Sequence, residues 1–355
     1  MDALRKKTGI KRLRRMILCT ALPLLLLALA LSYIAWRKMF APSVQIGSND
    51  YIHFFIPTGS SFNQVSQSLN ELKLLRYPRV FERLARLKEY PDRVRPGRYR
   101  IHHGMSNNEL VNLLRSGRQD PVNVIFNNIR TPAQLAGRIS QQIEADSIAL
   151  LALMTDEAYL ARYGISPVAI AMLFIPNTYE FFWNTNAEKF MARMHRETDR
   201  FWNSQRLEVL ERIGMTRSQA VTLASIVELE TQQNSEKPRI AGVYQNRLKK
   251  GMLLQADPTL VFAHGDFAIR RVLNRHKAIV SPYNTYKYAG LPPGPICFPS
   301  GASIDAVLNY ELHDYLFFCA RDDFSGFHAF ARTYHEHLQN ARRYQKALNL
   351  MNIKN

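Results

Sequence analysis

The side chains best placed to move a proton are carboxylates in the C-terminal half. Thr216-Arg217-Ser218-Gln219 fits a capping box, so a helix is predicted to start at Thr216 and to run through the apolar stretch Ala220–Val227 to Glu228. At 100° per residue, Val221, Ala224 and Ser225 share the face of Glu228. Such small or apolar neighbours leave the carboxyl poorly solvated, which disfavours its charge and raises its pKa, as a general acid working near neutral pH requires. The alternative is a structural carboxylate paired with a cation such as Arg247. Glu230, two positions on, projects to roughly the opposite side and is not expected to share that pocket. Asp257, in Asp257-Pro258-Thr259, reads first as a helix N-cap with proline at the first helical position, and second as an acid or base. Glu180, after Pro176-Asn177-Thr178-Tyr179, is a similar case. Cys297 and Cys319 flank no His or Cys at metal-ligand spacing, so no metal is expected; in an exported part a disulfide between them is permitted but not required, and free buried thiols are the preferred reading.

The elements that must position these groups form an α+β pattern. Tyr51 to Ile56 alternates like a strand, Pro57-Thr58-Gly59-Ser60-Ser61 supplies a turn and an N-cap, and Val65, Leu69 and Leu72 mark one face of the helix that follows. The pattern returns 45 residues later, with Ile101, Gly104, Ser106, Leu110 and Leu114 standing for Ile56, Gly59, Ser61, Val65 and Leu69. A fainter copy follows at Thr131, Leu135 and Ile139. Between the first two, Val80 to Lys88 reads as a basic amphipathic helix and Gly97 to Ile101 as a returning strand. Such a β-α-α-β module is similar to LysM domains, which bind N-acetylglucosamine polymers; an ordinary spacer is the alternative. Arg93, Arg95, Arg98 and Arg100 face carboxylate-bearing glycan in the first case and water in the second. The aromatic, proline-rich stretches Phe174 to Trp183 and Ser281 to Pro299 are expected as irregular cleft walls.

The formal net charge of +18 is not a nucleic-acid signature. Seven basic side chains against Asp2 fall in residues 1–15, and the rest of the excess is spread out, without a basic stripe interleaved with aromatics. Residues 16–36 are uncharged and apolar enough to cross a hydrocarbon core of about 30 Å. The run is longer than a signal-peptide core and ends at Trp36-Arg37-Lys38, which favours an uncleaved anchor. The positive-inside rule puts residues 1–15 in the cytoplasm and the remainder outside. The expected domains are therefore a tail (1–15), a transmembrane helix (16–36), a linker (37–50), the LysM-like module (51–120) and a larger mixed α+β domain (121–355).

Five ordered motifs sharpen the reading: Leu223-Ala224-Ser225-Ile226-Val227-Glu228; Gln245-Asn246-Arg247-Leu248 with Gly251-Met252; Leu254-Gln255-Ala256-Asp257-Pro258-Thr259; Tyr283-Asn284-Thr285-Tyr286; and Gly290-Leu291-Pro292-Pro293-Gly294-Pro295-Ile296. From about residue 50 to the end, the chain resembles the endolytic murein transglycosylase (YceG-like) family. The resemblance implies a membrane-anchored lytic transglycosylase that cuts peptidoglycan glycan strands. It implies Glu228 as catalytic acid and base, no cofactor, and the wall-synthesis machinery, including peptidoglycan synthases, as neighbours. A single carboxylate can suffice because the muramic acid's own C6 hydroxyl is the nucleophile and closes a 1,6-anhydro ring, whereas hydrolases usually need two carboxylates. Gln255 and Asn284, then Asn246 and Thr285, are the candidate neutral partners of the distorted sugar; otherwise they are caps or turn residues. The chain departs from the family at Asn177, where many relatives carry Asp, and at Leu229, where lysine is frequent. Two further readings stay open: a two-carboxylate muramidase using Glu228 with Asp257 or Asp266, and a non-enzymatic wall-binding scaffold.

Overall fold

The computed structural model describes residues 2–351, with side chains from Thr20 onward, so the basic side chains of residues 1–15 and Cys19 lie outside the described residues. Helix α1 (Asp2–Phe40) contains the apolar stretch Thr20–Phe40, 21 residues of mean hydropathy 1.6 with no buried share. At 1.5 Å per residue this stretch is long enough to cross a hydrocarbon core. The chain beyond it divides into two compact units, one running to Val122 and including Phe182–Asn184, the other comprising Asn123–Phe181 and Thr185 onward. The architecture is mixed α+β.

The first unit follows the order β1 (Tyr51–Ile56), α2 (Phe62–Glu71), α3 (Pro78–Leu87), β2 (Gly97–His102), α4 (Asn107–Ser116). The internal repeat is realised at its caps. Ser61 and Ser106 both close capping boxes, with Gln64 and Glu109, and Gly59 and Gly104 just before them have φ of +83° and +76°, where a side chain would be strained. The repeated apolar positions Ile56, Val65, Leu69, Ile101, Leu110 and Leu114 form one buried cluster over the antiparallel β1–β2 ribbon. Thr131 caps α5 (Pro132–Ser140) in the third copy, whose Leu135 and Ile139 are buried.

Residues 41–46, expected as part of a linker, pack instead. Val44 and Ile46 enter the core, and isolated bridges outside the strands join Pro42 to Ser106 and Val44 to Leu75, with Val44 N donating to the Met105 carbonyl and Gln45 N to that of Leu74. Arg98 and Arg100 both pair with Asp120 at 2.8 Å, and Asp120 also meets His53 at 2.9 Å.

The second unit comprises β3 (Val122–Phe126), α5, α6 (Ser147–Thr155), α7 (Glu157–Ala161), β4 (Asn177–Phe181), α8 (Ala187–Phe201), α9 (Ser204–Ile213), α10 (Arg217–Glu230), α11 (Lys237–Lys249), α12 (Asp257–His264), α13 (Gly301–Leu308), β5 (Phe317–Ala320), β6 (His328–Ala331) and α14 (Tyr334–Leu350). Part of the stretch expected as an irregular wall is strand β4, paired with β3. Phe174 and Phe181 are core residues there, since Phe174 packs against Phe126, Phe190 and Phe298. Cys297 and Cys319 are free thiols, the first buried and the second half-buried.

Helix α10 is the axis of this unit. Thr216 caps it as expected, and Ala220 to Val227 are all buried, so it is wrapped by α9, α11, α12, α13 and the Ile296 segment. An all-apolar helix must be enclosed on every side. The interior Ser225 hydroxyl is satisfied: its Oγ donates to the Thr222 carbonyl at 2.7 Å and accepts from Ile296 N at 3.0 Å. Only the last turn surfaces, carrying Glu228 and Glu230.

Candidate active site

Glu228 and Glu230 emerge on different sides of that last turn into opposite environments. Glu228 lines a cavity of about 170 Å³ with Arg130, Gln232 and Cys297. One carboxylate oxygen, Oε2, accepts hydrogen bonds from Lys237 Nζ at 3.1 Å, Ser300 Oγ at 2.6 Å, Ser300 N at 3.3 Å and Ser303 Oγ. Lys237 is buried and Ser303 completely so. Burial alone pushes the Glu228 carboxyl up, but the Ser300 and Ser303 donors and the Lys237 ammonium outweigh it and hold the group below the ordinary carboxylate range. The N-terminus of α13, capped by Ser300, adds a favourable dipole. The expectation of a raised pKa is therefore corrected. Val221, Ala224 and Ser225 do desolvate the site, but cations and hydroxyls distant in sequence decide the protonation state. The ion-pair partner is Lys237 and not Arg247.

Glu230 lines a second cavity of about 270 Å³, together with Tyr244, Arg247, Gln255, Asp257 and Tyr286. Its Oε1 accepts from Tyr244 Oη at 2.6 Å. Burial pushes its carboxyl up to about 7; the Tyr244 hydrogen bond opposes this, the nearby Asp257 charge reinforces it, and Arg247 opposes it. The C-terminal end of a helix dipole acts in the same direction as burial. Asp257 accepts from Tyr286 Oη at 2.5 Å. Asp257 is the first residue of α12 and Ala256 is the cap, with no side-chain cap bond, so the N-cap role expected for Asp257 does not hold. Its carboxylate is turned to Tyr286 and the cavity.

Among the other expected residues, Gln255 lines the Glu230 cavity. Its φ of +51° is in the left-handed region, unfavourable for a residue with a β-carbon, and is held by Gln255 N donating to the Thr285 carbonyl at 3.0 Å. Asn246, Asn284 and Thr285 commit their polar atoms to the protein. Asn246 Nδ2 donates to the carbonyls of His313 and Tyr315, at 2.6 and 3.1 Å. Asn284 Nδ2 donates to those of Lys277 and Ile279 while its Oδ1 accepts from Tyr286 N at 3.0 Å, which fixes the turn that presents Tyr286. Thr285 Oγ1 accepts from Ala256 N at 3.0 Å and pairs with Thr259 Oγ1 at 2.9 Å. None of these three lines the Glu230 cavity: Asn284 and Thr285 brace turns, and Asn246 ties α11 to the segment at 313–315. Arg247 does similar work, its guanidinium donating to the carbonyls of Leu316 and Leu254 at 2.6 and 2.7 Å.

Sequence reasoning missed Glu230, Tyr244 and Tyr286 as a group. The available signal was that three of the five motifs, at 245–252, 254–259 and 283–286, supply or brace the same cavity, and that cavity is on Glu230's side of α10. Asp266 instead accepts from Ala268 N in its own turn.

This cavity brings a carboxyl pushed up to about 7 and a carboxylate tied to a tyrosine together on an α+β scaffold. The model of the YceG-like family matches residues 54–343, and the chain belongs to that family. It is 27% identical over 331 residues to the endolytic murein transglycosylase of Bacillus subtilis (strain 168), covering 88% of this chain and 90% of the relative. The protein of the same name from Streptococcus pneumoniae (strain D39) is 27% identical over 309 residues, 78% of this chain and 55% of its own. The crystal structure of a yceG-like protein from Listeria monocytogenes aligns with a TM-score of 0.55 at 29% identity, covering 82% of this chain and 99% of that one.

Proposed function

We propose that the chain is an endolytic murein transglycosylase, anchored by α1 with its N-terminus in the cytoplasm, that cuts the MurNAc–GlcNAc bond of peptidoglycan strands and leaves 1,6-anhydro-MurNAc ends. Such cuts end strand elongation, which puts the enzyme beside peptidoglycan synthases. The β-α-α-β order of the first unit supports a LysM-like role in holding the strand.

The proton donor in this reading is Glu230, two residues beyond the Glu228 expected from sequence. The observation that carries it is the cavity in which Glu230, with its carboxyl near 7, meets Asp257, Gln255 and Tyr286. The Glu230 proton passes to the glycosidic oxygen as the bond to C1 breaks. The C6 hydroxyl oxygen then bonds to C1, and its proton returns to Glu230. The Asp257 carboxylate and the Gln255 amide, which line the same cavity, face the positive charge developing at C1. Glu228 as donor is the second reading; it is favoured by that residue's own cavity beside Arg130.

The test is a pair of substitutions in the full-length protein, Glu230→Gln and Glu228→Gln, assayed on glycan strands for 1,6-anhydro ends. Loss in Glu230→Gln alone supports the first assignment, and loss in Glu228→Gln at unchanged thermal stability moves the role to Glu228. Reducing ends without anhydro ends would make the enzyme a hydrolase, with Asp257 as its second carboxylate. Binding without any cleavage by the wild type would leave a scaffold.

A further inference from the structure

The last turn of α1 runs straight into the first unit. Asn107 Nδ2 donates to the carbonyls of Lys38 and Tyr77, at 3.2 and 3.4 Å, and Val44 N to that of Met105 at 2.9 Å. The cations of Lys38 and Arg76 lie 5.8 and 5.5 Å from the Tyr77 ring. Tyr33, Trp36 and Phe40 form an exposed ring ladder on α1, the aromatic signature of a membrane–water boundary. The start of α3 therefore stands against the part of α1 that leaves the membrane, if α1 is the anchor proposed above, and the present inference rests on that reading.

Helix α3 buries Phe81, Leu84 and Ala85 and turns Arg79, Arg83 and Arg86 outward at i, i+4 and i+7. Among the described residues none of these three has an acidic partner, in contrast to Arg93 with Glu89 and to Arg98 and Arg100 with Asp120. The one carboxylate on α3, Glu82, is occupied by Ser66 at 2.8 Å. Leu87, 74% exposed, borders the arginine arc. A basic arc edged by an exposed leucine is the pattern of a helix that rests on a charged lipid surface.

We propose that the Arg79–Arg83–Arg86 face of α3 docks on the phosphate headgroups of anionic phospholipids in the same membrane that α1 crosses, holding the first unit down on the bilayer. The full-length protein is reconstituted in nanodiscs of phosphatidylcholine alone or with phosphatidylglycerol, and backbone hydrogen exchange is followed across residues 78–87. Exchange should slow about fivefold or more in the anionic discs, an effect expected to disappear in Arg79→Gln/Arg83→Gln/Arg86→Gln and to survive in the triple lysine variant. Equal exchange in both discs overturns the proposal, as does protection in phosphatidylcholine discs that appears only on adding glycan strands. Alkaline extraction of the wild type from both kinds of disc would mean that α1 is no anchor, a failure of the underlying reading that is visible before any exchange is measured.

Discussion

Glu228 and Glu230 lie two residues apart at the end of one helix and are held in opposite states. The first rests against a buried ammonium, two serine hydroxyls and a helix N-terminus, so it stays ionised. In the second, burial and then the nearby Asp257 charge push the carboxyl up to about 7 against the single tyrosine donor and Arg247. Position on an apolar helix therefore does not assign a carboxylate its role; the charges that the rest of the chain brings to it do. Through these hydrogen bonds Glu228 ties α10 to α11 and α13. Glu230, in the mechanism proposed above, gives up and retakes a proton.

The largest effect should come from removing that proton. Glu230→Gln keeps size and the Tyr244 contact, and should lower release of anhydro ends by about 10²- to 10⁴-fold while leaving the melting temperature nearly unchanged. In the wild type, donation needs protonated Glu230, so the rate should fall as pH rises through about 7. An alkaline limb far above that range would separate the pH profile from Glu230.

The converse prediction concerns stability. Glu228→Ala leaves buried Lys237 without its counter-charge and frees the Ser300 and Ser303 donors, and should cost about 3 kcal/mol in thermal or denaturant unfolding. The sign with pH follows from the lowered carboxyl. Its stabilisation is present above the unfolded carboxyl range and is lost as pH falls through the folded value, so wild type and Glu228→Gln should converge in stability under acid. If Glu228→Ala unfolds like wild type but is inactive, the contrast between structural tie and donor is reversed.

Much of this arrangement was readable before the fold, and the unreadable part has a physical cause. The capping box at Thr216, the apolar run to Val227 and the two-fold repeat of strand, glycine and capped helix are local, and local chemistry decides them. The protonation states of Glu228 and Glu230 are not local. Ser300 and Ser303 come from 72 and 75 residues downstream of Glu228, and Tyr244 from 14 downstream of Glu230. Asn246, Asn284 and Thr285 looked like sugar ligands because polar residues inside a motif can serve either a substrate or the backbone. In the fold, the amides of Asn246 and Asn284 are given to the carbonyls of His313, Lys277 and Ile279, partners that are distant or non-periodic in sequence.

Gln255 offers a smaller test of the same site. Its left-handed backbone is tolerable to glycine, so Gln255→Gly should change stability by less than about 1 kcal/mol, relief of strain offsetting the added freedom of the unfolded chain. Activity should fall about tenfold through loss of one amide contact to the sugar. A variant equally active and equally stable would remove Gln255 from the substrate's surroundings.

The smallest effect is the most specific to the comparison, because it alters Glu230 only through its neighbour. The Asp257 charge is one of the influences that raise the Glu230 carboxyl, after burial. Asp257→Asn removes that charge and can keep the contact with Tyr286 Oη, so ionisation of Glu230 becomes easier and its pKa falls. The alkaline limb of the rate profile should then move to lower pH, with activity reduced at neutral pH and partly recovered under mildly acidic conditions. A transglycosylase should keep part of its turnover in this variant, because its nucleophile is supplied by the substrate, whereas a two-carboxylate hydrolase would lose it at every pH. An unshifted limb would mean that burial and Tyr244 alone set the proton affinity of Glu230, and Asp257 would then act on the sugar without acting on the acid.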